Sequence, residues 1–181
     1  CNNSNQLTYA GNNDIDIVDN APDFPPDMFQ YLFGVPTSSW KDIREIAISN
    51  SQYLDSCNSL NSTSSGLYWI HTNECQISSN QQVGDLDSAV MIVVENNNTR
   101  MQGGGSVYGV VFSFTVPGSG AAGTIQINGN NIIYGSFISD HDISISNGTL
   151  TVRYDQRVID LIMSGDDFQE LAKISGTWRD F

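Results

Sequence analysis

Asp140-His141-Asp142 is the most reactive-looking triplet in this 181-residue chain. An imidazole between two carboxylates can ligate a divalent metal or act as a general base. Neighbouring side chains in a strand or turn point in different directions, though, and no further His or Cys completes a shell. The metal reading of Asp140, His141 and Asp142 is therefore the lesser one. The expectation is an exposed turn in which an aspartate caps its own backbone.

Other chemistry-bearing residues are sparser. Asp14, Asp16, Asp19 and Asp23 offer oxygen ligands for calcium, but they lack the spacing and glycine of a twelve-residue calcium loop. No cofactor is expected, and calcium is the only alternative to none. Serines abound without a Gly-x-Ser-x-Gly elbow, and His71 and His141 are the only imidazoles that could serve them as base. Gly103-Gly104-Gly105 has no lysine or helix start to make it a phosphate loop. A polysaccharide lyase would need basic residues beside carboxylates in a groove, and this chain has few. The sequence reads as a non-enzyme.

Cys57 and Cys75 lie 18 positions apart around a polar, turn-prone loop. No second Cys or His pair supports zinc, so a disulfide is expected, worth about 3 kcal/mol for a loop of this size. Such a bridge implies an oxidising compartment. Cys1 is left over: a lipid-bearing cysteine, a chance start, or a partner for another thiol.

The net charge of −13, with seven Lys and Arg against 20 Asp and Glu, leaves no basic stripe for phosphates. Nucleic acid is excluded as a partner, and docking on anionic headgroups is disfavoured. No transmembrane stretch is present in the sequence.

The elements that must position these residues follow from periodicity. Residues 1–23 read as an acidic arm. Residues 24–65 form a helical subregion: Pro25-Pro26-Asp27 opens a helix from Met28 to Phe33 that Gly34 closes, and Ser38 or Ser39 caps a second one carrying Trp40, Ile43, Ile46 and Ala47. Strands dominate residues 66–155. Among them are 67–71, the continuously apolar Ala89 to Glu95, and the alternating 124–127 and 143–146. Residues 156–181 supply helical turns at 156–163 and 166–172 and a tail that packs on the β-domain.

Within the strand region one sentence nearly repeats. Gly105-Ser106-Val107-Tyr108-Gly109-Val110-Val111-Phe112 returns 26 residues later as Asn131-Ile132-Ile133-Tyr134-Gly135-Ser136-Phe137-Ile138. A looser copy, 147–154, starts 16 further on. Asn/Gly corners ahead of β-branched and aromatic runs suit stacked strand-turn units. The expected fold is mainly β: a parallel β-helix (β-solenoid) with short flanking helices, the alternative being an antiparallel β-sandwich with a helical annex.

Several segments carry a family resemblance. Phe29-x-Tyr31-Leu32-Phe33-Gly34-Val35-Pro36-x-x-x-Trp40 and the run Cys57-x-Ser59-Leu60-Asn61-Ser62-x-Ser64-Ser65-Gly66-Leu67-Tyr68-Trp69 resemble the C-terminal region of PilX-type type IV pilus accessory proteins of Gram-negative bacteria. So do Tyr134-Gly135-x-Phe137-Ile138-Ser139-Asp140-His141, residues 146–155, and the closing Gly176-x-Trp178-Arg179-Asp180-Phe181. The resemblance implies a minor-pilin-like structural component in pilus assembly, display or adhesion. It would sit outside the cytoplasm, in the pilus, on the cell surface or in the periplasm. Its partners would be other pilus subunits or copies of itself. Membrane contact would come only through an N-terminal helix missing here or a lipid on Cys1. Trp40, Trp69, Tyr108, Tyr134, Trp178, Arg179 and Phe181 are the expected interface or anchoring residues. The alternatives are a cell-surface adhesin or glycan-binding module, with Tyr108 and Tyr134 exposed on a flat face, and a subunit of a homopolymeric fibre.

Overall fold

The computed structural model describes residues 25–120, 123–141 and 148–165. Two parallel sheets form the centre. The larger runs β1 (Tyr53–Leu54), β2 (Gly66–Ile70), β5 (Val90–Glu95), β7 (Ser106–Phe114), β9 (Gly129–Ser139) and β10 (Gly148–Arg153), with β4 (Gln82–Val83) also paired to β7. The smaller runs β3 (Cys75–Ile77), β6 (Thr99–Met101) and β8 (Ile125–Ile127). Every pairing among the described residues is parallel.

The mainly β class stands, but the expected β-helix does not. A solenoid repeats one turn length and keeps its core inside its own sheets. Here neighbouring strands of the larger sheet pair at unequal offsets: Gly66 with Val90, Val90 with Gly109, Ser106 with Ile132, Gly129 with Gly148. One of the two cores lies outside the sheet pair altogether, beneath a layer of helices. The antiparallel sandwich fails too, since no strand pair among the described residues is antiparallel. The finding is two unequal parallel sheets with helical cover.

The two cores arise from period-two alternation in strands buried on both faces. Along β5, Val90, Ile92 and Val94 face the small sheet, where Ile77, Met101, Ile125 and Ile127 meet them. Met91 and Val93 face the other way, toward α1 (Met28–Phe33), α2 (Trp40–Ser49) and α3 (Gln156–Ser164). These helices contribute Phe29, Phe33, Ile43, Ile46, Ala47, Val158 and Ile162 to a core shared with Leu67, Trp69, Phe112 and Phe114. Strand β1, from within residues 24–65, joins the larger sheet.

Local signals act as read for α1. Asp27 accepts from the Gln30 amide at 2.8 Å, and Gly34 closes the helix at φ 70°. Helix α2 differs from expectation. A 3-10 turn, Thr37–Ser39, precedes it, and Ser39 makes no side-chain capping bond. The 143–146 strand and the 166–172 helical turns lie outside the described residues, as do the acidic arm and Cys1.

The repeat is in register where it is strongest: Tyr108 pairs with Tyr134 and Gly109 with Gly135. The third copy is not. Gly148 pairs with Gly129, 19 positions apart, so Arg153 stands beside Tyr134. Asparagine amides stitch successive corners: Asn98 Oδ1 accepts from the Thr124 amide at 2.9 Å and its hydroxyl at 2.8 Å. Asn131, itself buried, accepts from the Gly105 amide at 3.2 Å. These bonds satisfy backbone donors that a corner would otherwise bury unpaired.

Cys57, in a 3-10 turn, and Cys75, opening β3, are bonded as a disulfide with Cα atoms 4.8 Å apart, and both are buried. The bridge ties the turn before β2 to the first strand of the small sheet. Replacing both cysteines with serine is expected to cost about 3 kcal/mol, read as the shift in urea midpoint at constant slope.

Candidate functional site

The polar cluster richest in chemistry sits where β7 and β9 end side by side. Register brings Ser113 opposite Ser139, and the chain leaving β9 folds Asp140 and His141 across the end of β7. His141 Nδ1 lies 2.9 Å from Asp140 Oδ1 and 3.2 Å from Thr115 Oγ1, while Nε2 lies 3.3 Å from Ser113 Oγ. Both Asp140 oxygens accept from the Thr115 amide, at 3.1 and 2.8 Å. Ser139 Oγ donates to the His141 carbonyl at 2.8 Å.

Carboxylate, imidazole and hydroxyl in this order form the hydrogen-bonded relay of a nucleophilic serine. Accessibility decides against that use in this arrangement. Ser113 is 0% exposed, so its Oγ cannot approach a substrate carbonyl without the corner opening. What the bonds do accomplish is to clasp two strand ends. Asp140 is exposed, as an exposed turn would have it, but the His141 side chain is only 10% exposed, and Asp140 caps the amide of Thr115, just past the end of β7, rather than its own backbone. Asp142 lies outside the described residues. Among the described residues no three His, Cys, Asp or Glu side chains converge as metal ligands.

A cavity of about 590 Å³ opens beside this clasp, lined by Pro25, Pro26, Met28, Phe29 and Thr37 together with Asp27, Ser139, Asp140 and His141. Asp27 is fully engaged there. Its Oδ1 accepts from the Thr37 hydroxyl at 2.5 Å as well as from Gln30, and its Oδ2 accepts from the Thr37 amide at 3.0 Å. Burial pulls its pKa upward, but the Thr37 hydroxyl and the amides of Gln30, Thr37 and Phe29 outweigh this and hold the carboxyl below its ordinary value. A depressed native pKa adds stability above the unfolded value near ~4, and that stability is lost as pH falls through the native value. Asp27→Ala is therefore expected to lower Tm by about 2–4 °C at pH 7, matching roughly 1 kcal/mol for a cap. That deficit narrows toward pH 3, a trend thermal scans at both pH values would read.

The remaining expected site residues that are described do not converge on one surface. Trp69 is fully buried, its Nε1 donating to Glu95 Oε2 at 2.5 Å, and stacks with Trp40 at 6.2 Å between centroids. The Arg44 guanidinium sits 4.7 Å over the Trp40 ring. Both tryptophans thus anchor α2 to the sheet. Tyr108 and Tyr134 stack at 4.5 Å and pack, half-buried, on the core that α3 covers. Burial first, then the neighbouring Tyr134 and Asp85, push the Tyr108 phenol pKa up. Trp178, Arg179 and Phe181 lie outside the described residues. Sequence reading missed Ser113, Thr115 and Glu95, which no motif singles out because strand register alone brings them to their partners.

Fold and corner together define a class: a mainly β protein with two parallel sheets, helical cover on one face and a disulfide-pinned entry. Comparison with family models, curated proteins and solved structures finds no match to the chain. Among the described residues no helix is long and apolar enough to cross a membrane.

Proposed function

We propose that this protein is a non-enzymatic, extracytoplasmic structural component associated with type IV pili, partnered by other pilus subunits or by copies of itself. The observation that carries the reading is the resemblance of its segments between residues 24 and 181 to the C-terminal region of PilX-type accessory proteins, with the closing Gly-x-Trp-Arg-Asp-Phe as its most specific part. The disulfide supports an oxidising, extracytoplasmic setting. A parallel sheet with a packed core on each face is stiff, and it suits a part that bears or transmits load.

The glycan-binding alternative has less behind it, because Tyr108 and Tyr134 spend their faces on each other and on the core. The test is genetic and biochemical. Deleting the gene in its own bacterium is expected to reduce surface piliation, and antibody against the chain is expected to detect it in sheared pili. Normal piliation together with absence from the sheared fraction would sink the pilus assignment.

A further inference from the structure

The two ends of the larger sheet are closed very differently. At one end β1 is only two residues long, and α2 leads into it with the Arg44 guanidinium over the rings of Trp40 and Tyr53. Very short edge strands template further pairing poorly. The neighbouring end of the small sheet, β3, is backed by the Cys57 turn and its disulfide. At the other end β10 is six residues long and, among the described residues, pairs only with β9. Gly148, Thr149, Val152 and Arg153 are exposed along it. It holds no proline and no lysine, the devices that usually blunt an edge.

Charge points to what this edge accepts. The chain carries −13 overall, so two copies repel over most of their surface. Strand β10, Gly-Thr-Leu-Thr-Val-Arg, contains no carboxylate and one cation. In an antiparallel pair whose two-fold axis passes through Thr151, Arg153 of each copy falls opposite Thr149 of the other, with no like charge facing it. Val152, 45% exposed, and Tyr154, 69% exposed, supply apolar surface at the same seam.

From this we infer that β10 is a self-association edge, taking β10 of a second copy in antiparallel pairing to form a closed dimer. Closure follows from the asymmetry of the ends. An isologous interface uses the one long edge on both copies and, among the described strands, leaves outward only edges of two or three residues, so growth stops at two. The seam is small against the roughly 800 Å² per partner of a standard interface, so dissociation constants in the tens to hundreds of micromolar are expected. The inference is independent of the pilus reading, which concerns partners in the cell.

Sedimentation velocity on the full chain from about 1 µM to about 500 µM, with hydrogen exchange at both limits, tests it. The expected result is a shift from monomer to dimer, with the 148–153 amides slowing at least tenfold at high concentration. Val152→Asp and, separately, Tyr154→Asp place carboxylates at the seam and are expected to weaken dimerisation at least tenfold. Both positions are exposed, and an unchanged circular dichroism spectrum would verify the fold. Monomer throughout overturns the inference, as do species that keep growing past dimer. Protection of 148–153 that is equal at both concentrations also overturns it, and assigns the edge to another part of the same chain.

Discussion

Gly109→Ala is expected to remove most of this protein's stability. A Cβ built at that position overlaps the Val90 carbonyl oxygen and falls 2.8 Å from Val90 Cγ2 and 2.9 Å from its carbonyl carbon. Two of these three are backbone atoms of the paired strand, so no rotamer change relieves the overlap and the strands themselves must part. The next pair repeats the arrangement. A Cβ on Gly135 would overlap the Gly109 oxygen and lie 2.9 Å from its carbonyl carbon. The Tyr-Gly dipeptides thus let three strands approach closely at one level while the tyrosines stack beside them. Overpacking of this kind costs about 3–5 kcal/mol, a large share of the 5–15 kcal/mol typical of a domain. At this size that corresponds to a Tm drop of roughly 10 °C or more by calorimetry. Gly103→Ala, where a Cβ meets nothing within 4 Å, is the control and is expected to change Tm by less than about 2 °C. Equal effects at the two positions would refute the close-approach argument.

Trp69→Ala is expected to cost about 3–5 kcal/mol, because a fully buried indole leaves a cavity that rigid strands cannot close. Three partners lose it together: the stacked Trp40, Phe114 edge-on at 5.9 Å, and the Glu95 carboxylate. Two milder substitutions separate packing from hydrogen bonding. Trp69→Phe keeps most of the apolar volume but strands Glu95 without its donor, for about 1–3 kcal/mol. Glu95→Gln retains an acceptor for the indole N–H and is expected to cost less than about 1 kcal/mol. Denaturant midpoints rank the three. If Trp69→Phe proved neutral, the indole–carboxylate bond would contribute nothing and packing alone would explain the site.

The elements written in local chemistry were legible before any coordinates. Pro-Pro-Asp before Met28 and Gly34 after Phe33 bound α1 because φ restriction, capping and left-handed tolerance are properties of single residues. The apolar run at 89–94 announced a strand buried on both faces, and β5 is buried at five of six positions. The Cys57–Cys75 pair was legible from elimination and spacing. So was the 26-residue repeat, since identical side chains stack best on their own kind.

Less was legible where the answer lies between segments. Strands β3, β4 and β6 are two or three residues long, too short for any period to show; β4 is held by the long β7, while β3 and β6 are held by each other and by β8. The third repeat looked alignable at 16 residues and pairs at 19, because the Gly129–Gly148 close approach sets the register rather than the tyrosine motif. The solenoid expectation failed for a related reason. Repetition along a chain says that strands stack, but not how long each excursion is or what covers the outer face.

By itself, then, the amino-acid order determined the strand-rich class, the ends of α1, the disulfide and the parallel Tyr-Gly pairing, all of which rest on contacts within one segment or between near copies. Only the tertiary structure decided that one core lies beneath helices, that His141 clasps Ser113 and Thr115, and that one edge of the larger sheet is long and the other short. Those features come from residues separated by dozens of positions, and no single side chain encodes where its distant partner will be.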